Sequence, residues 1–161
     1  MALFRKTEMA SAYLKMGIMG FQGAGKTYTA TQTAIGLVNM MRQKDLKQGA
    51  KPVYFLDTET GVDWVKPQFD KAGIPLFDAK TRAFKDLREA VREAEAGGSV
   101  LLIDSITAFW NELTESYAKQ KNRTRGLEFQ DWAYLKRTWR LFTDDLINSD
   151  LHIIMCGRAG Y

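Results

Sequence analysis

Gly20-Phe21-Gln22-Gly23-Ala24-Gly25-Lys26-Thr27 follows directly on the strand-like run Leu14-Lys15-Met16-Gly17-Ile18-Met19. Its glycines let the backbone fold with the N–H groups pointing inward around an anion, and a helix beginning near Gly25 turns its positive end to the same point. Lys26 adds a charge that reaches the β- and γ-phosphates of a nucleoside triphosphate, and the Thr27 hydroxyl is a ligand for Mg²⁺. A strand before and a helix after supply the context that gives this spacing its meaning. The stretch therefore predicts a nucleotide site contacted by Gly20, Phe21, Gln22, Gly23, Ala24, Gly25, Lys26, Thr27 and Tyr28.

Beyond the loop, strand and helix alternate, which predicts an α/β fold with a mainly parallel sheet covered on both faces. A helix over 27–43 places Ala34, Leu37, Val38 and Met41 on one side, with its end marked by Lys47-Gln48-Gly49. Pro52-Val53-Tyr54-Phe55-Leu56-Asp57 reads as a second, buried strand and is followed by a short helix over 64–72. Ile74-Pro75-Leu76-Phe77 reads as an edge strand, where proline is tolerated. A helix over 82–96 buries Phe84, Leu87, Val91 and Ala94 and stops at Gly97-Gly98. Val100-Leu101-Leu102-Ile103-Asp104 is the strongest strand signal in the chain. A helix with Ile106, Phe109, Trp110, Leu113 and Tyr117 on one stripe follows, then a basic loop over 119–126. A long helix carries Trp132, Leu135, Trp139, Phe142 and Leu146, and Leu151-His152-Ile153-Ile154-Met155-Cys156 closes the series as a fifth strand.

At 161 residues, 45% hydrophobic and 26% charged, the chain has the size and balance of one globular domain spanning 1–161. No apolar run is long enough for a membrane helix, and Met1-Ala2-Leu3-Phe4-Arg5-Lys6 lacks a secretory signal's apolar core. The single cysteine, Cys156, excludes an internal disulfide and fits a reducing compartment, so a cytoplasmic location is expected. The net charge of +4 is compatible with a polyanionic partner without demanding one.

Triphosphate hydrolysis needs carboxylates as well. Asp104 ends an apolar strand at the sheet edge where open α/β folds bind ligands, and it can hold Mg²⁺ there as a second Walker motif; capping the next helix is the alternative, which Ser105 could equally do. Ser105 stands where many such ATPases place a catalytic glutamate and cannot act as a base. Asp57-Thr58-Glu59, at the tip of the second strand, supplies two candidates, whose side chains point the same way if the strand continues that far.

These motifs together resemble the ATPase core of the RecA family, in which a strand ending in Asp-x-Glu carries the water-polarising glutamate and a later strand ends in Asp-Ser. Phe55-Leu56-Asp57-Thr58-Glu59 and Leu101-Leu102-Ile103-Asp104-Ser105 match that pattern, and the resemblance covers roughly residues 14–158. Leu56-Asp57-Thr58-Glu59-Thr60-Gly61, Asp104-Ser105-Ile106-Thr107 with Trp110 following, and Gly157-Arg158-Ala159-Gly160-Tyr161 are similar to the RecA-like AAA-family ATPases of bacteriophages, some implicated in single-strand annealing and recombination. The resemblance implies a three-layer P-loop NTPase with a RecA-like core, ATP and Mg²⁺ as cofactors, Thr27 and Asp104 at the metal, and Lys26 and Glu59 in catalysis. Arg158 stands at the sensor position where RecA itself uses a glutamine. It could contact the γ-phosphate, act across a subunit boundary, or pair with Asp104.

Lys119, Lys121, Arg123 and Arg125 form the densest basic cluster and could track a single-stranded DNA backbone, as basic loops of RecA-like proteins do, or form a solvated loop. Trp110, Trp132 and Trp139 are at core spacing and read as packing rather than base stacking. His152 and Cys156 lie four apart on one strand face without further ligand partners and read as core. The family's strand order leaves the phosphate-loop strand at a sheet edge, and the sequence ends shortly after the sensor strand; a fragment truncated there, or an edge completed by another subunit of a homo-oligomeric ring or filament, is expected. The function that follows is a Mg²⁺-dependent ATPase in phage DNA recombination or replication, in the host cytoplasm. The alternatives are a small-molecule phosphotransferase, disfavoured by the lack of an arginine-rich lid and by Asp-x-Glu, and an ATP-dependent DNA-binding assembly factor that hydrolyses slowly.

Overall fold

Five strands form one sheet: β1 (Lys15–Gly20), β2 (Val53–Asp57), β3 (Leu76–Lys80), β4 (Val100–Asp104) and β5 (His152–Arg158). The computed structural model describes residues 3, 4, 6 and 12–160. Tyr161 and much of the N-terminal stretch considered for a secretory signal lie outside the described residues. The strand order is β1-β5-β4-β2-β3 and every pairing is parallel, so the phosphate-loop strand stands at one edge, as the family's strand order implies, and β3 at the other.

Helices α1 (Lys26–Gln43) and α2 (Gly61–Lys71) cover one face; α3 (Phe84–Gly97), α4 (Ile106–Gln120) and α5 (Phe129–Asn148) cover the other. Because both faces are covered, successive strand residues feed opposite cores and the strands read as unbroken apolar runs. Val53, Phe55, Val100, Leu102, Ile154 and Cys156 pack beneath α1 and α2, whereas Leu56, Leu101, Ile103 and Ile153 pack beneath Leu87, Val91, Phe109 and Phe142. Burying each such aliphatic or aromatic side chain contributes about 1.5–3 kcal/mol, and the two cores together fix the sheet. The three layers are those expected of the P-loop NTPase fold.

Several boundaries differ from expectation for local reasons. α1 ends at Gln43, and Lys47–Ala50 form a 3-10 turn of their own, packed so closely that a Cβ on Gly49 would lie 2.8 Å from the Arg42 backbone nitrogen. β3 starts two residues later than expected: Pro75 lacks an N–H, its carbonyl instead accepts from Val53 N–H at 2.9 Å, and Ile74 turns into the core. α2 starts at Gly61 rather than Trp64, because Asp57 ties down its first turn. Lys119 lies in the last turn of α4 rather than in the loop. Of the expected α4 stripe only Phe109 is fully buried, since Trp110 faces the rings of Trp132 and Trp139 in a hairpin with α5.

The register aligns the C-terminal tips of the central strands. Gly20 pairs with Arg158, Asp57 with Asp104, and Asp104 with Cys156, so the phosphate loop, both Asp residues and Arg158 share one end of the sheet. No helix among the described residues is long and apolar enough to cross a membrane.

Candidate nucleotide site

The loop between β1 and α1 bends at Gly23 (φ 79°) and Gly25 (φ 80°), conformations that side-chain-bearing residues adopt only with strain. Gly25 is the N-cap of α1 and offers no side-chain cap, which leaves the first N–H groups of the helix to the loop's interior. Lys26 curls over the loop and donates to the Phe21 carbonyl at 2.8 Å. Gln22, Gly23, Lys26, Thr27, Asp57, Glu59, Gly61, Asp104 and Arg158 line a cleft of about 110 Å³ at the strand tips. Phe21 and Tyr28 are half-exposed on the outside of the same loop and helix start.

The Thr27 hydroxyl donates to Oδ2 of Asp104, joining the phosphate loop to the tip of β4 across the cleft. Burial holds the Asp104 carboxyl above its ordinary range; the Thr27 hydrogen bond draws it back, the neighbouring Asp57 raises it further and Lys26 lowers it. A hydroxyl and a carboxylate brought together beside an anion cradle are the hard oxygen donors that Mg²⁺ takes in nucleotide sites, so the residues fit that ion. Ser105 is the N-cap of α4 without a side-chain cap bond, so neither it nor Asp104 caps the helix through its side chain. The Asp104–Ser105 peptide bond is cis.

The two acids of Asp57-Thr58-Glu59 part company. β2 ends at Asp57, so the condition for parallel side chains is not met. Asp57, 1% exposed, spends both carboxylate oxygens on the protein: Oδ1 accepts from Glu59 N–H at 2.9 Å and Oδ2 from Val62 N–H at 3.0 Å. Glu59 stands outside at the cleft and pairs with Arg158. The alternative pairing of Arg158 with Asp104 is therefore not the one formed; Asp104 is taken by Thr27, and β5 continues through Arg158.

Sequence reasoning missed the braces behind these groups. Thr58, 6% exposed, sends its N–H to the Asp104 carbonyl at 2.8 Å, while its hydroxyl accepts from Ser105 N–H at 2.9 Å and donates to the Asp104 carbonyl at 3.2 Å. It clamps the tip of β2 to that of β4. Thr107 accepts the Arg158 N–H at 2.9 Å, and Arg82 donates to the Thr58 carbonyl at 2.9 Å. Gly61 sits close against the pair: a Cβ there would lie 3.2 Å from Thr27 Cγ2, which would have to give by a few tenths of an ångström, and 3.6 Å from Asp104 Oδ2. The Thr-Gly after Glu59 is a visible signal, whereas the braces depend on tertiary register.

The other candidate groups lie elsewhere. Arg123 departs from the expected basic cluster, because its guanidinium is held by Asp131 at 3.0 and 3.1 Å and by Glu128 at 2.7 Å, compensating an Asp131 that is only 2% exposed. Lys121 lies 6.0 Å from the Tyr117 ring centre, and Lys119 and Arg125 are exposed. His152 accepts from Leu14 N–H at 2.9 Å and lies against Tyr13; Cys156 is buried, its thiol pushed up to about 12 by desolvation. Both serve packing, and no group of three metal-ligating side chains occurs among the described residues.

A phosphate-cradling loop, a helix N-terminus and a Thr–Asp pair at the C-terminal edge of a parallel sheet define the class of P-loop nucleotide-binding proteins. The family model described as "AAA domain" matches residues 12–160, and the chain belongs to that family, whose members are in general ATP-binding ATPases. No curated protein matches the chain.

Proposed function

We propose that this chain is a Mg²⁺-dependent ATPase with a RecA-like core, acting with single-stranded DNA in phage recombination or replication. The observation that carries the hydrolytic reading is the division of labour at the tip of β2. Asp57 is consumed by backbone N–H groups, whereas Glu59 is half-exposed at the phosphate cleft with its carboxylate directed to an equally exposed arginine rather than to the fold.

In this reading the loop N–H groups and Lys26 bind and align the phosphates, with Lys26 exchanging the Phe21 carbonyl for phosphate oxygens. Thr27 and Asp104 hold Mg²⁺, which when bound neutralises charge on the phosphate oxygens. Glu59 accepts a hydrogen bond from the attacking water and orients it in line with the γ-phosphoryl group. Arg158, released from Glu59, turns its guanidinium to the charge that develops there. Lys119, Lys121 and Arg125 contact the DNA backbone, a homo-oligomer assembles on the strand, and the host cytoplasm is the site of action. Likeness of Asp57-Thr58-Glu59 and Asp104-Ser105 to the RecA pattern, the strand order and the family membership support this reading. ATP turnover of the purified protein, with Mg²⁺ and with and without single-stranded DNA, tests it; phosphate release stimulated by DNA is expected, and binding of ATP without release would leave a nucleotide-dependent switch.

A further inference from the structure

Residues 119–140, the end of α4, the loop and the first part of α5, contain seven basic residues against two acidic ones, while the whole chain carries a net charge of +4. This hairpin alone therefore exceeds the net charge of the entire chain. Both of its acids, Glu128 and Asp131, are already engaged by Arg123. Lys119, Lys121, Arg125, Lys136 and Arg137 are exposed and make no ion pair among the described residues.

The same surface holds aromatic rings in water. Phe129 is 96% exposed, Tyr134 51% and Trp132 38%. The buried residues Asp131, Leu135, Phe142 and Leu146 define the inner side of α5; by helical spacing Phe129, Lys136 and Arg137 lie on the outer side, with Trp132 and Tyr134 on its two flanks. Each flanking ring is backed by a ring of α4: Trp132 stacks on Trp110 at 6.4 Å and Tyr134 on Tyr117 at 4.8 Å between centres. Such rings are pre-ordered, so a planar ligand stacking on them costs little further side-chain freedom.

We propose that the outer side of the α4–α5 hairpin is a binding platform for single-stranded nucleic acid, in which bases stack on Phe129 and Tyr134 and phosphates meet Lys121, Arg125, Lys136 and Arg137. It rests on the proposed function in taking the partner to be a single strand, and it moves the main binding surface from the loop onto α5. Protruding rings flanked on both sides by cations outside any ion pair are the chemistry of a strand whose bases are free. A duplex hides its base faces from such rings, and a second copy docking with the same face would set like charge against like.

The test measures binding of labelled oligothymidylate, oligouridylate, an abasic oligomer of equal length and a duplex to the full chain at several salt concentrations. Phe129→Ala removes an exposed ring, so it leaves the fold and DNA-free ATP turnover unchanged; it is expected to weaken oligothymidylate binding about tenfold without altering the salt slope or the affinity for the abasic strand. Lys136→Gln with Arg137→Gln is expected to weaken all single strands and to flatten the slope by roughly 0.7 for each phosphate no longer neutralised. Comparison of the thymidine and uridine oligomers assigns the platform to DNA or RNA. Wild-type binding that Phe129→Ala and the double variant leave intact overturns the platform while keeping the single-strand reading; absence of any single-strand binding by the wild type overturns both. Self-association that Phe129→Ala abolishes, with no effect on strand binding, assigns the face to an interface between copies and overturns the proposal.

Discussion

Glu59, two residues beyond β2, and Arg158 at the end of β5 form an ion pair that stands between two clefts. The phosphate cleft lies on one side, and a cleft of about 250 Å³ bounded by Arg82, Thr107 and Asn111 lies on the other; both residues line both. Each side chain is nearly half exposed, so the pair is held weakly and is free to part. Arg158→Ala is accordingly expected to leave the melting temperature almost unchanged and, in the proposed role of its guanidinium at the γ-phosphate, to lower turnover at least tenfold. Thermal melting and phosphate-release rates on the same preparation check this.

Asp57 and Glu59 should separate in the opposite sense. Asp57→Ala strands the backbone N–H of Glu59, ahead of α2, and that of Val62, in its first turn, and is expected to cost roughly 2 kcal/mol or more of stability in urea denaturation. Glu59→Gln is expected to leave the denaturation midpoint unchanged. If Asp57→Ala melts like the wild type, its assignment as a structural brace is wrong.

Lys26→Ala should abolish measurable ATP binding with the fold intact, because the hydrogen bond its amine makes is to the Phe21 carbonyl of its own loop. Calorimetric titration with ATP, alongside a far-ultraviolet spectrum, distinguishes a lost site from a lost fold.

Gly61→Ala places a methyl group against Thr27 and Asp104. The expected outcome is a several-fold rise in the Mg²⁺ concentration needed for half-maximal turnover, with ATP binding in the absence of metal little affected. A magnesium titration of the variant that overlays the wild-type curve contradicts the role of this pair.

The hairpin brace predicts a pH dependence. Arg123 and its hydrogen bonds hold the Asp131 carboxyl below its ordinary value, so the contribution of the pair to stability is present above the unfolded carboxylate value, near 3.9, and is lost as pH falls through the lower folded one. Arg123→Ala is therefore expected to be less stable than wild type at neutral pH, with the difference shrinking in strong acid. Urea denaturation at neutral pH and at two acidic values on either side of that carboxylate range measures it.

What can be read from the sequence is what local chemistry dictates. The phosphate loop, the limits of β4 and the five-strand alternation follow from glycine spacing and from apolar runs ended by an acid. β3 is not legible in the same way, because the strand that forms, Leu76–Lys80, is an exposed edge whose Asp78 and Lys80 carry no apolar signal, whereas Ile74 serves the core and Pro75 lends its carbonyl to Val53 N–H. The Asp-x-Glu spacing points to Glu59 as a candidate, but Asp57 as a structural brace, Thr58 as a clamp and Arg158 as the partner of Glu59 depend on residues that meet only when strands are in register. Likewise Arg123 reads as one of four equivalent cations until the buried Asp131 eight residues away claims it.

In the proposed mechanism Glu59 orients the water for ATP hydrolysis at a site that Lys26, Thr27 and Asp104 build. ATP turnover at saturating Mg²⁺, measured for wild type and Glu59→Gln side by side with ATP affinity on both, decides whether it does. The variant is expected to bind ATP as tightly as the wild type and to lose roughly a hundredfold or more in turnover; equal turnover by the two proteins would remove Glu59 from the chemistry.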